Sequence, residues 1–207
     1  MRITLKHGID FPRAGGIALD SAAAPPVASI ALYADDYGSL RARPAVAVGD
    51  RVLAGMPVMR DRRHPEVALI SPVTGRVREV RMGPRRSLQA VVVATDGAAP
   101  EALSVEASAA DEAAIENIPR GQLRERLLAS GLWAALRERP GDRVPPPDGH
   151  ADAVLVRAMD TEPLAPDPLP LLGPAWQAFR AGLVALSRFA KHRVWVCTAR
   201  RLEWPTA

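Results

Sequence analysis

The chain has 207 residues, of which 48% are hydrophobic and 24% charged, enough apolar material for one large or two small globular domains and too much for a disordered chain. Its formal charge is +4, and because Lys6 and Lys191 are the only lysines among 27 basic side chains, the remaining 25 are arginines; with aromatics at only 4% and not interleaved among them, a nucleic-acid surface is excluded. A single cysteine, Cys197, excludes an internal disulfide framework and a cysteine-based zinc cluster.

The N-terminal "MRITLKHGIDF" lacks the apolar core of a signal peptide and reads as a first strand. No run approaches the ~20 apolar residues of a membrane span. Up to about residue 97 short β-like runs alternate with Gly, Pro and Asp turns: "RITLKHGI", "VASIALYA", "DRVLAG", "VALISP", "GRVREVRM" and "LQAVVVATDG". In the fifth run Val77, Glu79 and Arg81 alternate with Arg78 and Val80, as expected of a strand with one buried and one wet face.

Residues 98–118 are Ala-rich and acidic and read as a connector, partly helical. From Pro119 the spacing turns helical. Leu123, Leu127, Leu128 and Leu132 share one face, with Gly131 breaking the run into two short helices. "ADAVLVRAMD" reads as a strand buried on both faces, as in a parallel sheet. A proline-studded loop and a helix follow; Pro174 opens the helix, and Trp176, Phe179, Leu183 and Leu186 form its apolar face. The helix leads to "HRVWVCTA", a strand in which Cys197 is expected to be a buried packing residue. Strand, helical crossover, strand makes a βαβ unit.

The predicted architecture is therefore multidomain α+β. Residues 1–97 form an all-β unit, whose paired turns "VGDRVLAG" and "ISPVTGRV" resemble those of carrier domains and so imply a barrel-sandwich hybrid; 98–118 form a connector, and 119–207 a partial, Rossmann-like α/β domain that reads as truncated, because a lone crossover leaves sheet edges uncovered.

The β unit resembles biotinyl and lipoyl carrier domains through its paired turns "VGDRVLAG" and "ISPVTGRV". Gly49, Gly55 and Gly75 stand where tight turns or close backbone approach are needed, and Pro72 sets the entry to the second turn. In a carrier the intervening hairpin tip holds the modified lysine. Here the tip is "RDRRHPEVA", residues 60–68, with no lysine, and an arginine guanidinium stays protonated and is a poor acyl acceptor. A swinging cofactor arm is excluded.

His7, His64, His150 and His192 show no ligand spacing, so no metal site is expected, and no phosphate-binding glycine loop or nucleophile motif is present. The most concentrated polar stretch is "AMDTEPLAPDP". Its Asp160, Thr161, Glu162 and Asp167 follow a predicted parallel strand and either bind a ligand beyond the strand's carboxyl end or staple the loop to its own backbone.

Together "GDRVLAG", "SPVTGRV", "SGLWAALRERPGDRVPPPD" and "AMDTEPLAPDP" resemble the N-terminal region of the family formed by the A subunit of the Na(+)-translocating NADH-quinone reductase, over nearly the whole chain. The resemblance implies membership of a six-subunit oxidoreductase and translocase that passes electrons from NADH to ubiquinone and exports sodium. It implies a peripheral position on the cytoplasmic face of the inner membrane, reached through membrane subunits, especially the flavin-carrying B subunit. It also implies that this chain binds no cofactor and has no catalytic residue or activity alone, the flavins and the iron–sulfur centre lying on other subunits, with ubiquinone the substrate of the complex.

Two segments are similar to family regions near the quinone: "LYADDYG", with Leu32, Tyr33, Asp36 and Tyr37, and "GDRVPPPD", with Arg143, Val144 and Pro145. A quinone needs an apolar wall with one or two donors; Leu32, Val144 and Pro145 can supply the wall, and Tyr33, Tyr37 and Arg143 the donors. Where the distantly related flavin subunit of respiratory complex I has a glycine-rich phosphate loop, "GLWAALRERPGDRVP" places Trp133, Arg137 and Arg139. Family members continue for roughly as long again, whereas "ARRLEWPTA" does not look like their continuation. The alternative is a non-redox barrel-sandwich adaptor for assembly, related to the C subunit of the Rnf complex.

Overall fold

The computed structural model describes residues 27–38, 40–97, 112–160, 162, 165, 172 and 175–198. The expected first strand at 2–9, most of the acidic connector, Pro174 and the final tail lie outside the described residues.

Among the described residues, seven strands make two antiparallel sheets. The larger has the order β1 (Ser29–Tyr33), β7 (Leu88–Thr95), β6 (Gly75–Met82) and β3 (Arg51–Val52); the smaller has β2 (Ala42–Pro44), β4 (Pro57–Asp61) and β5 (Ala68–Ile70). Among the described residues the two sheets do not join into one closed barrel. The core is valine-rich: Val52, Val58, Met59, Val67, Val77, Val91 and Val93 are almost wholly removed from water. Strands of β-branched residues with one apolar face are stable only when such faces meet, so burial follows directly from the pattern.

The two resemblance-bearing turns are zipped together. Gly49 N–H donates to Val77 O at 2.8 Å and Val77 N–H to Asp50 O at 2.9 Å, while Gly55 N–H donates to Ser71 O and Ser71 N–H to Met56 O, both at 2.8 Å. Buried Thr74 accepts a hydrogen bond from Ala54 N–H at 3.1 Å, and buried Ser71 donates to Val73 O at 2.6 Å. Glycine is required at position 75, because a Cβ there would collide with the carbonyl oxygen of Ala94 on β7.

The even alternation expected along β6 does not persist. Val77 is buried and Arg78 exposed, but a register shift between Val77 and Glu79 leaves Glu79 and Val80 both half-buried. The extra residue of a bulge re-aims every side chain after it, which a period-two reading cannot anticipate.

After a short helix α1 (Glu112–Glu116), helix α2 (Arg120–Ala129) buries Leu123. Gly131, at φ +71°, ends it and turns the chain into a 3-10 turn, Leu132–Ala135. A Cβ on Gly131 would stand 2.9 Å from the Ile70 side chain, so this corner packs directly on β5. The left-handed residue rotates Leu132 off the α2 face, and it is 58% exposed instead of continuing the Leu123 stripe. Trp133 takes the buried place, 3% exposed. Residues 24–150 form one compact unit.

The second unit contains the expected βαβ element. Strands β8 (Ala151–Arg157) and β9 (Ala190–Cys197) pair in parallel, with Leu155 opposite Trp195, and helix α3 (Trp176–Ser187) precedes β9. Trp176, Phe179, Leu183 and Leu186 are half-buried, and Trp176 and Phe179 stack at 5.6 Å. Burial of β8 on both faces is not found: Leu155 is 65% exposed and Trp195 49%, and Cys197 is exposed rather than packed. Among the described residues this unit has two strands and one helix, which covers one face, so the outward side chains of both strands are wet.

Candidate functional site

The lysine-free hairpin tip between β4 and β5 is stapled to its own backbone. Asp61, 5% exposed, accepts hydrogen bonds from Arg41 N–H at 3.1 Å and Arg63 N–H at 3.3 Å. Asp61 N–H donates to Val67 O and Arg62 N–H to Arg41 O, both at 3.0 Å. Arg60 donates to Pro65 O at 2.7 Å. Beside the tip lies an open cleft of about 420 Å³, walled by His64 and Glu66 from the hairpin, Arg124, Glu125 and Leu128 from α2, and Pro147 and Asp148.

The first predicted site segment is the end of β1 and the turn after it. Leu32 is half-buried and Tyr33 46% exposed, while Ala34 is buried and donates its N–H to Gln89 O at 2.9 Å. Asp35–Tyr37 then makes a 3-10 turn with Asp35 and Asp36 at its N-terminus, closed by Gly38 N–H donating to Asp35 O at 3.1 Å. In the register of the sheet Tyr33 lies opposite Ala90, which lies opposite Arg81. Arg81 is held above its ordinary pKa, first by its hydrogen bond to Glu79 and more weakly by Tyr33. The Arg81 hydrogen bond correspondingly holds the Glu79 carboxyl below the usual range.

The second segment is a loop folded on itself. Trp133 Nε1–H donates to Pro145 O at 2.9 Å, pinning the far end of the loop to the buried indole. Glu138 N–H donates to Arg143 O at 2.7 Å, Arg139 pairs with Asp142 at 3.2 Å, and Asp142 takes a left-handed φ of +49°. Arg143 is exposed; Val144 and Pro145 are half-buried. At the other end of this unit Arg120 reaches Gly149 O and His150 Nε2, both at 2.8 Å.

The fold brings the two segments together although they are about a hundred residues apart in sequence, and the joining residue is Arg137. Its Nη1 donates to Ala134 O at 2.6 Å and Leu136 O at 3.0 Å, and its Nη2 to Asp36 O at 3.3 Å. The guanidinium carbon stands 5.8 Å from the centre of the Tyr37 ring. A Cβ on Gly38 would lie 3.5 Å from Asp142 O. Asp36 and Tyr37 are thus joined to the loop that carries Arg143, Val144 and Pro145, whereas Tyr33 stays on β1, opposite Ala90 of β7. No sequence signal sets Arg137 apart from its many arginine neighbours; only the bend after Trp133 gives it three backbone carbonyls within reach.

In the second unit Asp160 follows β8, is exposed, and accepts a hydrogen bond from Glu162 N–H at 3.0 Å. Thr161 and Asp167 lie outside the described residues. Among the described residues no three His, Cys, Asp or Glu side chains are placed to share a metal ion. Among them, too, no helix is long and apolar enough to cross a membrane, which says nothing about spanning by strands.

Residues 3–96 match the family described as the NqrA N-terminal barrel-sandwich hybrid domain, and residues 118–207 the family described as the NqrA second alpha/beta domain. The chain is 39% identical over 203 residues to the Na(+)-translocating NADH-quinone reductase A subunit of Pseudomonas aeruginosa strain UCBPP-PA14, covering 98% of this chain and 44% of that protein. It is 40% identical over 195 residues to the A subunit of Klebsiella pneumoniae strain 342, covering 94% and 43%. The corresponding protein of Neisseria meningitidis strain Z2491 is 34% identical over 204 residues, covering 99% and 45%. The chain spans less than half the length of these relatives. With both domains matched in order on a sandwich and a parallel βαβ pair, the chain belongs to the NqrA family, that of the A subunit of the Na(+)-translocating NADH-quinone reductase.

Proposed function

We propose that this chain serves, within a sodium-pumping NADH:ubiquinone oxidoreductase, as the part of NqrA that holds the ubiquinone headgroup and docks on the membrane subunits, the B subunit first among them, from the cytoplasmic face. The observation that carries the reading is the meeting of the Asp35–Tyr37 turn with the 137–145 loop through Arg137. Tyr37 and Arg143, a phenol and a guanidinium, stand on these two joined segments, the second of which also carries half-buried Val144 and Pro145, while half-buried Leu32 ends the strand that leads into the first. A quinone headgroup is flat, apolar on its faces and carries two carbonyl acceptors, so a partly apolar ledge with two donors suits it. This chain supplies binding and orientation. The electrons come from flavin and iron–sulfur groups on other subunits.

Titration with ubiquinone-1, a short-chain analogue, tests the reading. Saturable binding that Tyr37→Phe and Arg143→Met each weaken supports it, and binding that neither change affects overturns the assignment of these residues. Co-purification with the membrane subunits tests docking separately. Docking without any quinone binding leaves the assembly adaptor, which the stapled, lysine-free hairpin tip favours as a rigid contact element.

A further inference from the structure

Resting on the quinone reading above, we propose that Arg137 is the positioning residue of this site: it fixes the Asp35–Tyr37 turn against the 137–145 loop, so that Tyr37 and Arg143 address one ligand together. The guanidinium is a rigid planar fork with five donors, and three of its hydrogen bonds here go to main-chain carbonyls rather than to a carboxylate. Two of those carbonyls, Ala134 and Leu136, belong to the end of the 3-10 turn; the third, Asp36, belongs to the other wall. The same guanidinium lies against the Tyr37 ring, which adds attraction between cation and aromatic face to the hydrogen bond one residue earlier. One side chain therefore sets both the distance and the orientation between the walls.

Each wall also has ties of its own that do not involve Arg137. The loop is closed by the bond from Glu138 to Arg143 and anchored by the bond from Trp133 to Pro145. The turn is closed by its own 3-10 hydrogen bonds and by Ala34 on Gln89. Removing Arg137 unhooks two pieces that keep these ties. Lysine cannot replace it, because a single ammonium on a flexible stem cannot reach three carbonyls in two directions while keeping a plane over the ring.

The test uses the full 207-residue chain and ubiquinone-1, with hydrogen exchange measured on peptides covering 33–38 and 136–145. For Arg137→Met we expect about a tenfold loss of affinity. The 33–38 peptide is expected to exchange faster, with 136–145 protected as in wild type and the melting temperature nearly unchanged. Arg137→Lys is expected to behave like Arg137→Met, since geometry and not charge sets the walls. In a double-mutant cycle the loss from Arg137→Met should largely vanish when Tyr37→Phe is already present, because Arg137 acts through Tyr37; a merely structural effect would add.

Unchanged affinity and unchanged protection of 33–38 in Arg137→Met overturn the proposal while leaving quinone binding standing. Full rescue by Arg137→Lys also overturns it, by showing that a positive charge alone suffices. A wild-type chain that does not bind ubiquinone-1 overturns the quinone reading itself, and the exchange measurement then reports whether the clamp exists as a purely structural joint.

Discussion

The sandwich unit and the parallel pair solve the problem of burying strands in opposite ways. In the sandwich, two sheets face each other, seven large side chains are almost wholly buried, and the polar groups of the motif turns, Ser71 and Thr74, are paired inside. In the parallel pair the buried positions described are Ala158, Ala181 and Phe189, while Leu155 and Trp195, paired across the strands, lie open. An antiparallel sandwich closes on itself; a parallel pair is finished only by layers on both faces. The first unit can therefore serve as a rigid platform, and the candidate ledge is built on it.

Substitutions should separate the two regions sharply. Gly75→Val drives a side chain into the Ala94 carbonyl and should cost about 3 kcal/mol or more, seen as a large fall in the sandwich's melting temperature; a melting curve like wild type would show that β6 and β7 can part without loss. Asp61→Ala leaves the Arg41 and Arg63 N–H groups without their acceptor at a buried corner, and about 1–3 kcal/mol should be lost, with faster exchange confined to the hairpin tip. Exchange spread through both sheets would mean instead that Asp61 supports the whole sandwich. Leu155→Ala, by contrast, removes a side chain already 65% exposed and should change stability by no more than about 0.5 kcal/mol, measured by denaturant unfolding; a larger loss would mean that the open face is covered in solution.

The smallest effect concerns the exposed ion pair of the parallel unit. The hydrogen bond from Lys191 to Asp152, at 3.0 Å, holds the Asp152 carboxyl below its usual range. A carboxyl depressed in the folded state contributes stability above its unfolded pKa and loses it as pH falls through the lower, folded value. Because both groups are exposed, the contribution is slight, and the readout is titration of the Asp152 carboxyl by NMR. Lys191→Met should return its midpoint toward the usual aspartate value; an unchanged midpoint would show that the pair does not persist in solution.

Local chemistry made much of this legible. Paired glycine turns, a hairpin tip without a primary amine and the spacing of "SGLWAALRERPGDRVP" pointed to the sandwich, to the absence of a carrier arm and to a helix broken at Gly131. What failed were inferences that assume periodicity runs unbroken or that apolar means buried. The shift after Val77 moved Glu79 and Val80, the left-handed Gly131 turned Leu132 outward, and Leu155 and Cys197 stand in strands whose outer face has no covering element among the described residues.

The division at residue 150 carries the same lesson. Residues 118–150 belong by sequence to the family of the second domain, yet by packing they belong with the sandwich, where Gly131 meets Ile70.

Which segments become strands, which turns need glycine and why the hairpin tip cannot be acylated were all written locally, because backbone sterics and functional-group chemistry act over a few residues. That Asp36 and Tyr37 meet the 137–145 loop, with Arg137 joining them, came only with the folded arrangement. Reach across a hundred residues depends on how two folded pieces pack, and one arginine among 25 carries no local mark of the carbonyls it will find.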